Sequence, residues 1–140
     1  MSKVFRPNNK ESIILSKIES SIERERRQSI KTVKTNSDEV ANKIAMKLVE
    51  NKLVETTSKN SLQEQIKKKC EELSTLDDFD IDYQVAPFRK LVNNPNIVGL
   101  FITSFVIETV IDHPDTIDIY GTDEEIYRCI TAEIVNFVAK

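Results

Sequence analysis

Pro95-Asn96-Ile97-Val98-Gly99-Leu100-Phe101-Ile102-Thr103-Ser104-Phe105-Val106-Ile107-Glu108-Thr109-Val110-Ile111-Asp112-His113 is the one segment of this chain that is apolar on nearly every side of a helix. A helix without a wide polar face has to be enclosed by other elements, so the pattern predicts a buried central helix over about 96–112. The apolar run, from Ile97 to Ile111, is shorter than the roughly 20 residues that cross a bilayer, and Glu108 interrupts it. A buried helix requires a bundle around it. The expected fold is mainly α: a single-domain helical bundle of about five to six helices, with two very short strands at about 53–56 and 117–120.

The totals agree. A chain of 140 residues buries a core without staples, and only 2 glycines leave little material for hairpins or phosphate-cradling loops. Cys70 and Cys129 are far apart and belong to no Cys-x-x-Cys motif, which points to small packed residues and free thiols. The first ten residues hold no apolar signal-peptide core, so a reducing cytoplasm is the expected compartment.

On the C-terminal side of the central helix, Ile117-Asp118-Ile119-Tyr120 is expected to be extended and Gly121 to close it. Thr122-x-x-Glu125 then forms a capping box for a last helix that turns Ile126, Cys129, Ile130, Ile134 and Phe137 to the core. On the N-terminal side, Asn93-Asn94-Pro95 stops a short helix begun at Pro87. Asp77-Asp78-Phe79-Asp80-Ile81-Asp82-Tyr83 alternates acids with apolar residues and reads as an extended connector. Ser61-x-x-Glu64 reads as the capping box of a helix carrying Leu62, Ile66, Cys70 and Leu73. Val40, Ala41, Ile44, Ala45, Leu48 and Val49 mark the helix before it, and Asn36-Ser37-Asp38 a break before that. Helix, short extended piece, capping box, helix therefore occurs twice, and the two extended pieces are candidates to pair.

No Gly-rich nucleotide loop, His-Glu-x-x-His or paired catalytic carboxylates occur, so no catalytic residue, cofactor-binding residue or metal ligand is assigned and the chain is read as non-enzymatic. Asp78, Asp80 and Asp82 mimic the start of a calcium loop, but Tyr83 stands where its Gly is needed and Arg89 where its Glu is needed. His113, the single histidine, is expected to meet the last carbonyls of the central helix. Glu108 is expected to be buried in an ion pair with Arg128, or with Arg89.

Charge divides the chain. Lys and Arg outnumber Asp and Glu by 16 to 9 over residues 1–70 and are outnumbered 4 to 14 over residues 71–140. Residues 1–36 are read as a basic, partly projecting N-terminal helix, and 37–140 as a globular helical domain with an acidic C-terminal half. Ile14, Ile18 and Ile22 form a thin apolar stripe suited to a partner helix or a second copy. Lys17, Arg24, Arg26, Arg27, Lys31 and Lys34 are the candidate contacts of the alternative, nucleic-acid binding. Val40 to Glu55 resembles a winged helix-turn-helix in rhythm, which favours that alternative. The first expectation is a protein–protein interaction module (an adaptor, assembly factor or regulatory subunit) that self-associates through the N-terminal helix.

Overall fold

The periodicities become helices along residues 23–139, the part of the chain described by the computed structural model. Helix α1 covers 23–35, α2 Ser37–Glu50, strand β1 Val54–Thr56, α3 Lys59–Leu73 and α4 Asp78–Val85. A 3-10 turn, Ala86–Phe88, follows; then come α5 Ile97–Glu108, a second 3-10 turn Val110–Asp112, β2 Thr116–Ile119 and α6 Asp123–Val138. The fold is mainly α, a single domain with one tiny two-stranded sheet. No described helix is long and apolar enough to cross a membrane.

Helix α5 is the centre of the core. Asn96 caps it, its side-chain oxygen accepting from the Gly99 N–H at 2.9 Å, so one of the first-turn donors a helix leaves open is satisfied. Val98, Leu100, Phe101, Ile102 and Val106 are all buried. Two hydroxyls are buried among them and find partners within their own helix: Thr103 Oγ1 donates to the Gly99 carbonyl at 2.6 Å and Ser104 Oγ to the Phe101 carbonyl at 2.8 Å. Helices α4 and α6 pack on α5, α2 packs on α3 and α6, and α3 reaches α5. At that last crossing Lys69 Nζ lies 5.2 Å and 5.4 Å from the ring centres of Phe101 and Phe105, a cation–π contact over the outer side of the core. Lys67 of α3 pairs with Asp38 of α2 at 3.2 Å, and that carboxylate holds the ammonium above its ordinary pKa.

The two extended pieces do pair. β1 and β2 run antiparallel, Val54 opposite Ile119 and Glu55 opposite Asp118, with a register shift after Glu55 that leaves Ile117 as the extra residue. The Asp115 carbonyl anchors the far end, accepting from the Thr57 N–H at 2.8 Å and from the Thr56 and Thr57 hydroxyls at 3.0 Å and 3.2 Å. Helix–strand–helix thus occurs twice, as α2–β1–α3 and α5–β2–α6, joined through one ladder. In a winged helix-turn-helix β1 would pair with a neighbouring strand as a hairpin; here its partner lies in the other half of the chain. Helix α2 ends in a Schellman turn, with Lys52 in the left-handed region at φ 57° and the Leu53 N–H returning to the Leu48 carbonyl at 2.9 Å.

Four expectations need correction. Residues 77–83 are not extended: Asp77 is an N-cap, accepting from the Asp80 N–H at 2.9 Å, and α4 buries Ile81 and Val85 one turn apart. Helix α3 starts earlier than the Ser61 box: Ser58 has the extended backbone a cap requires and accepts from the Ser61 N–H at 3.1 Å. The box at Thr122 and Glu125, by contrast, forms with both of its reciprocal bonds. Glu108 is not buried and does not meet Arg128, because α5 ends at Glu108 and its last turn emerges into solvent; Arg128 instead pairs with Glu124 at 2.8 Å, one turn back on α6. Finally, His113 does not donate to the end of α5. Its Nδ1 accepts from the Asp115 N–H at 3.0 Å, which places the neutral ring's proton on Nε2; the 3.8 Å approach to the Asp115 carboxylate becomes an ion pair only when the ring is protonated.

Candidate interaction surface

The part of α1 within the described residues is not a free arm. Val33 is fully buried and Ser29 nearly so, and Arg26, its side chain only 15% exposed, reaches across to α4. One of its terminal nitrogens is 3.1 Å from the Asp82 carboxylate and 3.3 Å from the Asp78 carbonyl. Its Nε sits 3.5 Å from the Asp78 carboxylate without a hydrogen bond. Arg89 takes the same Asp82 oxygen at 2.9 Å. Arg26 therefore clamps α1 to both carboxylates of α4, and Arg89, beyond the end of α4, shares one of them. Arg26→Met is expected to lower stability by only about 1 kcal/mol, because both carboxylates keep substantial exposure. Hydrogen exchange in α1 should accelerate while α5 and α6 keep their protection, and unchanged α1 protection would refute the clamp.

The remaining cations of α1 stay outside. Arg24, Arg27, Lys31 and Lys34 are all exposed, and their spacing of three, four and three residues puts them on one helical face. Only a 3.8 Å approach of Glu23 to Arg27 dilutes that stripe among the ion pairs of the described residues. Beneath it runs an open groove of about 410 Å³ lined by Arg27, Lys31 and Lys34, by Asp78 of α4, and by the partly exposed Ile30 and Leu76 over buried Leu73.

On the neighbouring helix, Phe79 and Tyr83 are each 75% exposed, the most exposed large apolar side chains among the described residues. At 100° per residue they point directly away from buried Ile81 and Val85. Asp80 flanks them on one side. Asp82, held by the two arginines, flanks them on the other. The two aromatic residues contribute nothing to the core. A signal for them was present: two i, i+4 apolar pairs on opposite sides of a segment opened by an Asp N-cap.

The sequence-derived candidates separate accordingly. Ile14, Ile18, Ile22 and Lys17 lie outside the described residues. Arg24, Arg27, Lys31 and Lys34 share one surface, whereas Arg26 is drawn beneath it into the clamp. A smaller cleft of about 240 Å³ at the start of α5 is lined by Arg26, Arg89, Asn96 and Ile97 together with Glu25; both of its arginines are already committed to Asp82. The two thiols differ in burial. Cys70 is buried and its thiol is pushed up to about 12 by desolvation. Cys129 is half-buried, which raises its thiol too, with the Asn51 amide donating to Sγ at 3.6 Å and opposing part of that shift. Both thiols are therefore protonated, and weak nucleophiles, at neutral pH. Among the described residues no group of three or more His, Cys, Asp or Glu could hold a metal ion. Compared with protein-family models, with curated proteins and with solved structures, the chain matches none.

Proposed function

We propose that this chain is a non-catalytic protein–protein interaction module, an adaptor, assembly factor or regulatory subunit of the cytoplasm, that self-associates using its N-terminal helix. The observation that carries the reading is the outward presentation of Phe79 and Tyr83 beside α1. Large aromatic side chains held in water by a rigid helix are costly to leave uncovered and are the residue type that anchors interfaces. Replacing both by Ser should leave the melting temperature nearly unchanged, since neither fills the core. The same variant should lose association, read by sedimentation of the full chain and by co-purification with its native partners. Unchanged association would remove the reading.

The second reading is a nucleic-acid-associated regulator, and the specific observation in its favour is the stripe Arg24, Arg27, Lys31 and Lys34. It predicts retention of duplex DNA or RNA that falls steeply with salt, because each neutralised phosphate releases a counterion. Phe79 and Tyr83 on the adjacent helix would have no part in such retention.

A further inference from the structure

We infer that the basic groove of α1 and the aromatic ridge of α4 are two halves of one self-complementary face, and that a second copy of this chain covers it about a two-fold axis. The inference rests on the interaction reading and names its partner. The groove has an apolar floor, the partly exposed Ile30 and Leu76 over buried Leu73, below a wall of Arg27, Lys31 and Lys34. The ridge has an apolar crest, Phe79 and Tyr83, beside Asp80. Each is what the other lacks: the crest supplies aromatic surface for the floor, and the acid faces the cationic wall.

The chain cannot make this match with itself. Asp78 and Asp82, the acids on the α1 side of α4, are held by Arg26, so the crest of α4 lies beside the groove and not in it. The two surfaces adjoin at Asp78. Adjoining complementary patches on one face satisfy the requirement of a two-fold contact, in which the ridge of each copy enters the groove of the other and the assembly closes at two. A basic partner protein would cover the ridge and leave the groove unexplained. A nucleic acid would cover the wall and leave the ridge in water.

Charge reversal on the full chain tests this. Lys31→Glu/Lys34→Glu and Asp80→Lys each place like charges at both contacts of a homodimer. Each is expected to weaken the dimer measured by sedimentation equilibrium about ten-fold or more. An equimolar mixture of the two variants should dimerise again. In a mixed dimer one contact sets the introduced glutamates of one copy against the introduced lysine of the other, and the second contact keeps its original charges. Raising salt from about 50 mM to about 500 mM should weaken the wild-type dimer and leave it closed at two. A full chain that is monomeric throughout overturns the inference, as does a dimer indifferent to both reversals or a mixture that stays monomeric. So does a groove reversal that abolishes duplex DNA retention while leaving assembly intact. The interaction reading fails separately: its Phe79→Ser/Tyr83→Ser variant would then change no association with any partner.

Discussion

Phe101→Ala is expected to cost about 3–5 kcal/mol, the range for deleting a large aromatic side chain from a packed interior. Phe101 is fully buried on the central helix, with the Lys69 ammonium 5.2 Å from its ring centre. Domains of this size have about 5–15 kcal/mol in total, so the loss is a large fraction of the stability and lowers the melting temperature by on the order of 15 °C. Phe105, half-buried and under the same ammonium at 5.4 Å, is the control. Phe105→Ala removes less buried surface and should cost clearly less. Cys70 supplies a second readout. Its buried thiol, pushed up to about 12, should resist alkylation in the native protein and become reactive only when the core opens. Phe101→Ala should therefore raise the labelling rate in step with its loss of stability. A cost below about 1 kcal/mol would mean that α5 is not the centre of the core.

The elements that could be read from the chain are those whose pattern had one interpretation. Twelve residues of α5 without a polar face admit only burial. Val54 and Ile119 sit in short segments with a second β-branched residue two positions away, Thr56 and Ile117, and these extended pieces pair as the sequence suggests. Helix α4 is ambiguous in the sequence because seven residues of alternating acid and apolar character fit two periods at once. The extended reading sees Phe79, Ile81 and Tyr83 on one face. The helical reading splits them, Ile81 inward with Val85 and Phe79 outward with Tyr83, and the Asp77 cap decides for the helix.

The proposed interaction surface is half legible for the same reason. Its cationic stripe follows from spacing within one helix, but the groove needs Leu73 and Leu76, more than forty residues on, to lie beside Ile30. Only packing sets that neighbourhood. Arg26 shows the limit in a single residue: it belongs to the basic run by sequence, yet the fold takes it out of the surface to bind Asp78 and Asp82. Glu108 fails in the opposite direction. The apolar run continues past it, which suggested burial. The chain leaves the α-helix at Thr109 and re-enters the core through the 3-10 turn at Val110, so the acid stays outside.

Gly99 should show how closely α5 and α6 approach. A glycine inside a helix costs about 1 kcal/mol against alanine, so Gly99→Ala would stabilise α5 if space allowed. It does not: the added Cβ would overlap Thr131 Oγ1 and sit 3.2 Å from Thr131 Cβ and 3.3 Å from Tyr127 Cε1. The Tyr127 ring cannot readily retreat, because its hydroxyl accepts from the Asn96 N–H at 2.8 Å, at the very start of α5. Gly99→Ala is therefore expected to destabilise by about 1–3 kcal/mol, the cost of overpacking a close helix contact. Thr131 offers the relief. Its Oγ1 is buried without a hydrogen-bond partner, so Thr131→Ala removes an unsatisfied polar atom and should be close to neutral. With that hydroxyl removed, the overlap with Oγ1 is gone and only the 3.2 Å and 3.3 Å contacts with the position-131 Cβ and the Tyr127 ring remain, which small shifts can relieve. The double variant should recover most of the loss, a coupling of about 1–2 kcal/mol in a double-mutant cycle by denaturant unfolding. If the two changes merely add, the obstruction is Tyr127 or the backbone of α6, and relief should come from Tyr127→Leu instead.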